Sequence, residues 1–111
     1  MKIYISGPIT GYDFEGRRAA FELVRQRVQQ LNPGAEVVTP FDLGMPPSTP
    51  WRDAMGECLK LLMQCDGMVM MYGFSGSRGC RVEWLVGREL MEVQYEKKLR
   101  AFGQEGGDDE E

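Results

Sequence analysis

The chain has 111 residues, enough for one domain with a single modest core. Its formal charge of −4 sits at the C-terminus: residues 105–111 carry five acids and no base, which leaves 12 acids against 13 bases elsewhere. A near-neutral body argues against nucleic-acid binding through phosphate neutralisation, and the lack of any histidine removes His-based acid–base catalysis, Ser-His and Cys-His nucleophile pairs and the commonest zinc sites.

Residues 2–6 (KIYIS) are β-rich and end at Gly7-Pro8, which predicts a first strand. Asp13 is the expected N-cap of a helix reaching about Leu31, with Ala20, Phe21, Val24, Val28 and Leu31 at helical spacing. Arg17, Arg18, Arg25 and Arg27 are read as its solvent-facing charges, and Asn32-Pro33-Gly34 ends it. Residues 35–39 predict a second strand, closed by Pro40. Four prolines in residues 40–50 predict a loop of restricted backbone.

Thr49 is the expected cap of a second helix, with Pro50 at its first position and an apolar side of Ala54, Met55, Cys58, Leu59, Leu61 and Leu62. It runs to about Gln64. Residues 66–72 are apolar enough to predict a central strand covered on both faces, with Met68, Met70 and Met71 as core filler. A third helix is expected over residues 79–90. Residues 91–96 alternate and fit either a fourth strand or a helix continuation; the strand is preferred. From Lys97 onward the chain is charged and glycine-rich, so the expected organisation is a domain over 1–96 and a disordered acidic tail over 97–111.

The order β-α-β-α-β-α-β implies a small doubly wound α/β fold: a parallel sheet of about four strands with helices on both faces, flavodoxin- or Rossmann-like. In such sheets ligands bind beyond the carboxyl ends of the strands, where strand order reverses. Two glycine loops follow strands on that side and are expected to meet across one cleft: Ser6-Gly7-Pro8, and residues 73–79 with Gly73, Gly76 and Gly79. The second opens a helix whose free N–H groups suit an anion, with Arg78 beside them. Glu83, just over a turn into that helix, is placed to lean back toward the loop. This combination suits binding and attacking a sugar or sugar phosphate.

Cys58, Cys65 and Cys80 lack CxxC spacing and read as free thiols of a reducing cytosol. The apolar run after Lys2 breaks at Gly7-Pro8, so no signal peptide is expected, and no stretch approaches the roughly 20 apolar residues that span a bilayer. The expectation is a cytoplasmic protein that engages neither membrane nor nucleic acid and needs no cofactor or metal.

Together, Tyr4-Ile5-Ser6-Gly7-Pro8-Ile9-Thr10-Gly11, Trp51-Arg52-Asp53 before a helix, Cys65-Asp66, and Ser75-Gly76-Ser77-Arg78-Gly79-Cys80-Arg81-Val82-Glu83 resemble the nucleoside 2-deoxyribosyltransferase-like superfamily. The resemblance covers about residues 2–96 and is nearest to a small branch of phages and bacteria. It implies an enzyme acting on the N-glycosidic bond of a nucleoside or nucleoside 5′-phosphate. Glu83 corresponds to the nucleophile, which forms a glycosyl ester with retention. Tyr4 and Ser77 match residues that hold sugar and phosphate, and Ser6, Gly7, Pro8, Arg78 and Gly79 complete the expected site. A homodimer is also implied.

One position departs from the family pattern. Eight residues before Asp66, where the family commonly carries an aspartate that helps protonate the leaving base or position the sugar, this chain has Cys58. A thiol is a poor substitute. That substitution leaves open a second reading, a nucleotide-binding module or regulator without catalysis, and a third, an interaction domain that keeps only the fold. Without the resemblance, Tyr4 reads as a core residue, Ser6-Gly7-Pro8 equally as a strand terminator or a site loop, Trp51 as a helix anchor and Cys80 as a packed thiol. Trp51 and Phe41 are alternatively candidates for contacting the base.

Overall fold

The computed structural model describes residues 1–104. Lys2–Ser6 forms β1, Phe14–Leu31 α1, Glu36–Val38 β2, Trp51–Leu62 α2, Gly67–Met70 β3, Arg78–Leu90 α3 and Glu92–Tyr95 β4. The strands form one sheet in the order β2-β1-β3-β4, and every pairing is parallel. This is the α/β, flavodoxin/Rossmann-like architecture expected from the element order.

The strand order sets the layers. From β1 the chain moves outward through α1 to β2, then crosses back over β1 through α2 to β3, which puts α1 on one face and α2 and α3 on the other. Because strand side chains alternate, β1 serves both layers. Ile3 and Ile5 pack with Phe21, Val24 and Val28 of α1, whereas Tyr4 joins Cys58, Leu62 and Cys80 of α2 and α3. Burying each such apolar side chain is worth about 1.5–3 kcal/mol, more than helix propensity supplies per residue. The three helices are therefore held mainly by the sheet.

Local chemistry fixes the ends. Asp13 caps α1 as expected, its carboxylate accepting the Gly16 N–H at 2.8 Å. Thr49 does not cap α2. Its hydroxyl donates to the Pro46 carbonyl at 2.7 Å within the preceding turn, and Pro50 occupies the cap position without a side-chain bond. The proline loop is also more ordered than its composition implies. Thr39 and Asp42 form a capping box around a 3-10 turn, Pro40–Leu43, and Arg25 of α1 braces it by donating to Asp42 at 2.8 and 2.9 Å and to the Val37 carbonyl at 2.7 Å. Within residues 91–96, Glu92–Tyr95 form strand β4, so the strand and not a helix continuation is found there.

The tail expectation needs correcting for its first part. Residues 97–104 return to the α1 face: Phe102 is buried there, its N–H donates to Asn32 Oδ1 at 2.8 Å, and Leu99 packs beside it. An aromatic side chain next to an unfilled sheet face outweighs the charged, glycine-rich composition around it. The acidic run 105–111, expected to be disordered, lies outside the described residues. Among the described residues, no helix is long and apolar enough to cross a membrane.

Candidate functional site

On α3, Ser77 caps the first turn by accepting the Cys80 N–H at 3.3 Å. Cys80, Glu83 and Gly87 then fall at helical spacing on the face turned to the sheet, and all three are buried. That places Glu83 over β1, where alternation has sent Tyr4 and Ser6 to the same side. The Tyr4 hydroxyl donates to Glu83 Oε2 at 2.7 Å and the Ser6 hydroxyl to Oε1 at 2.6 Å. Both carboxylate oxygens are thus held by groups that are themselves fully buried. Glu83 does not sit at the rim of the glycine loop, as its position early in the helix suggested. It is 5% exposed and forms part of the cleft floor.

This burial sets the electrostatics. Desolvation raises the Glu83 carboxyl above its ordinary value, and the Ser6 and Tyr4 hydrogen bonds pull it partly back. Burial, followed by the nearby Glu83 charge, pushes the Tyr4 hydroxyl well above 10, so it remains a donor. The Cys58 thiol rises to about 11, again through burial and then Glu83. Burial also raises Cys80, against contacts from Ser77 and Ser6 that lower it. The floor therefore combines one carboxylate with neutral hydroxyls and thiols.

Above it lies a cleft of about 660 Å³ at the carboxyl ends of β1 and β3, the point where strand order reverses. Phe41, Met45, Pro46 and Pro47 of the proline loop line it, as do Ile9, Thr10 and Tyr12 from the segment after β1. Of the expected site residues, Gly7, Ser77, Gly79 and Glu83 line this cleft, so the two loops do meet across it. Tyr4 and Ser6 stand behind Glu83. Pro8 and Arg78 are not among its lining residues: the Pro8 carbonyl accepts Arg17 Nε at 2.7 Å, and the Arg78 guanidinium lies 4.1 Å over the Trp51 ring. Trp51 and Phe41 both line the cleft, and Phe41 stacks edge-on against Phe14 and Phe21 at 5.2 and 5.1 Å.

The glycines owe their places to packing and turning. A Cβ on Gly7 would lie 2.6 Å from Met71 Sδ and 3.0 Å from the Phe21 ring, so the end of β1 has room for no side chain. Gly73 turns the chain after β3 at φ +87°. A Cβ on Gly76 would meet nothing within 4 Å.

Sequence reasoning missed Arg18, which lines the cleft with its guanidinium 5.1 Å over Phe41 and 5.3 Å over Phe14 while pairing with Glu15. The signal was available, since Phe14 and Arg18 stand four residues apart on one helix. Arg17, also read as solvent-facing, instead turns inward to Pro8, and its Nη2 is buried without a hydrogen-bond partner. Among the described residues, no cluster of three or more His, Cys, Asp or Glu side chains is placed to hold a metal ion.

Fold and cleft together define a flavodoxin/Rossmann-like α/β domain with a polar-floored pocket at its topological switch point. The chain belongs to the family described as Domain of unknown function (DUF4406), whose model matches residues 1–95. No curated protein and no solved structure matches it.

Proposed function

We propose that this protein is an N-glycosidase or deoxyribosyltransferase-like enzyme acting on a nucleoside or nucleoside 5′-phosphate, with Glu83 as nucleophile. The observation that carries the reading is a buried carboxylate gripped by the Tyr4 and Ser6 hydroxyls on the floor of an open cleft. A carboxylate so held is oriented for attack on an anomeric carbon, and loss of water around it strengthens its field. Glu83 displaces the base and forms a glycosyl ester, which water resolves with retention. Phe41, Trp51 and Tyr12 line the cleft and give a flat base aromatic contact, and Arg18 offers a phosphate a charge-assisted bond. Water is favoured over a second base as acceptor, because a phosphate partner points to nucleotide hydrolysis.

The test is base release from a panel of nucleosides and 5′-nucleotides. Glu83→Gln is expected to lower turnover by about 10³-fold or more while the protein stays folded. Unchanged turnover would remove Glu83 from the mechanism. Cys58 motivates a second reading, a nucleotide-binding module without bond cleavage; thermal stabilisation by nucleotides with no released base would favour it. The homodimer implied by the resemblance is read out by light scattering on the purified chain.

A further inference from the structure

Resting on that N-glycosidase reading, we infer that the preferred substrates are N-ribosides whose departing ring needs no proton: cationic pyridinium nucleosides or their 5′-phosphates. The observation is what the cleft contains. Among the described residues that line it, Glu83 is the one carboxylate, and there is no lysine. Arg18 is its cation, and arginine does not release its proton in proteins. The thiol of Cys58 is held too high, at about 11, to protonate a departing base efficiently. Tyr12 lines the cleft, but its hydroxyl lies toward the turn at Gly73 and its ring lies 4.7 Å beneath the Arg17 guanidinium. Once Glu83 acts as nucleophile, no carboxylate remains in the cleft to act as general acid.

That matters because a neutral purine or pyrimidine leaves as an anion unless a proton reaches it, and a positioned acid is worth about 10²–10⁴-fold. A pyridinium ring has no such need. As Glu83 forms its bond to C1′, the C1′–N bond breaks and its electron pair returns to the ring nitrogen. The ring departs as a neutral pyridine, and the carboxylate becomes a neutral ester. Water then attacks C1′, loses a proton to solvent and restores the carboxylate. Two opposite charges disappear together in the first step, which a dry floor favours; attack on a neutral nucleoside would merely move the negative charge onto the base. The ground state suits the same class, since a cation above Glu83 favours its ionised form.

The experiment measures kcat/KM for nicotinamide riboside and its 5′-phosphate, for cytidine, adenosine and their 5′-phosphates, and for 4-nitrophenyl β-ribofuranoside, a neutral substrate whose phenolate also departs without a proton. Expected is a preference of about 100-fold or more for the pyridinium and nitrophenyl ribosides over the neutral nucleosides. Comparable cleavage of cytidine or adenosine compounds overturns the substrate class and leaves the glycosidase reading standing. Cleavage of none of them overturns this proposal, and base release from the wider nucleoside and 5′-nucleotide panel, 2′-deoxy compounds included, then decides the glycosidase reading. Cys58→Asp, which restores a carboxylate to the floor, is expected to narrow the preference at least about tenfold. A folded Cys58→Asp protein with the wild-type ratio also overturns the proposal, and the wild-type panel decides it should that variant fail to fold.

Discussion

At the scale of single residues, Glu83 places function and stability in opposition. Its carboxyl titrates above 4.5 because burial disfavours the charge. A raised acid contributes stability below its unfolded value, and that contribution is lost as pH rises through its folded value. Glu83→Gln keeps the shape without the charge. The melting temperature of that variant relative to wild type is therefore expected to increase from pH 4 to pH 8, as followed by thermal denaturation across that range. A constant difference would mean that the Glu83 carboxyl titrates alike in the folded and unfolded chains. Over the same interval, the proposed mechanism requires base release by the wild type to rise with pH, because it uses the ionised carboxylate.

Elements set the walls of the cleft, and here the sequence was unevenly legible. The start of α1 could be read because Asp13 has no competing partner: its oxygen meets the Gly16 N–H. The start of α2 could not, because the Thr49 hydroxyl is drawn to Pro46 by a turn that only three-dimensional placement reveals. The turn at Pro40–Leu43 carried a readable sign, Thr39 with Asp42 three residues on, hidden beneath a proline-rich reading. Arg25 gives that turn its hold on α1. Burial works to raise the Asp42 carboxyl, but the Arg25 and Thr39 hydrogen bonds outweigh it and leave it below its ordinary value. Arg25→Ala is expected to cost about 1–3 kcal/mol in denaturant unfolding and to raise KM more than it lowers kcat, because Phe41 loses its support. Equal effects on both constants would separate the loop from substrate binding.

For the whole molecule, the order β-α-β-α-β-α-β was enough to anticipate the parallel sheet, and the position of two glycine loops after its strands was enough to anticipate their meeting. It did not reveal that the chain continues past β4 to close the α1 face. Composition argued for release at Lys97, while a single aromatic residue decided the matter. Phe102→Ala is expected to destabilise the domain by about 3 kcal/mol in chemical denaturation. A change near zero would show that the segment contributes nothing to the core.

The pairing of Tyr4 with Glu83 joins positions 79 residues apart. A ribosome must therefore emit most of the domain before Glu83 meets the hydroxyls that hold it, and long-range closures of this kind form slowly. Nascent or prematurely terminated polypeptides that lack α3 would carry no assembled cluster of Tyr4, Ser6 and Glu83.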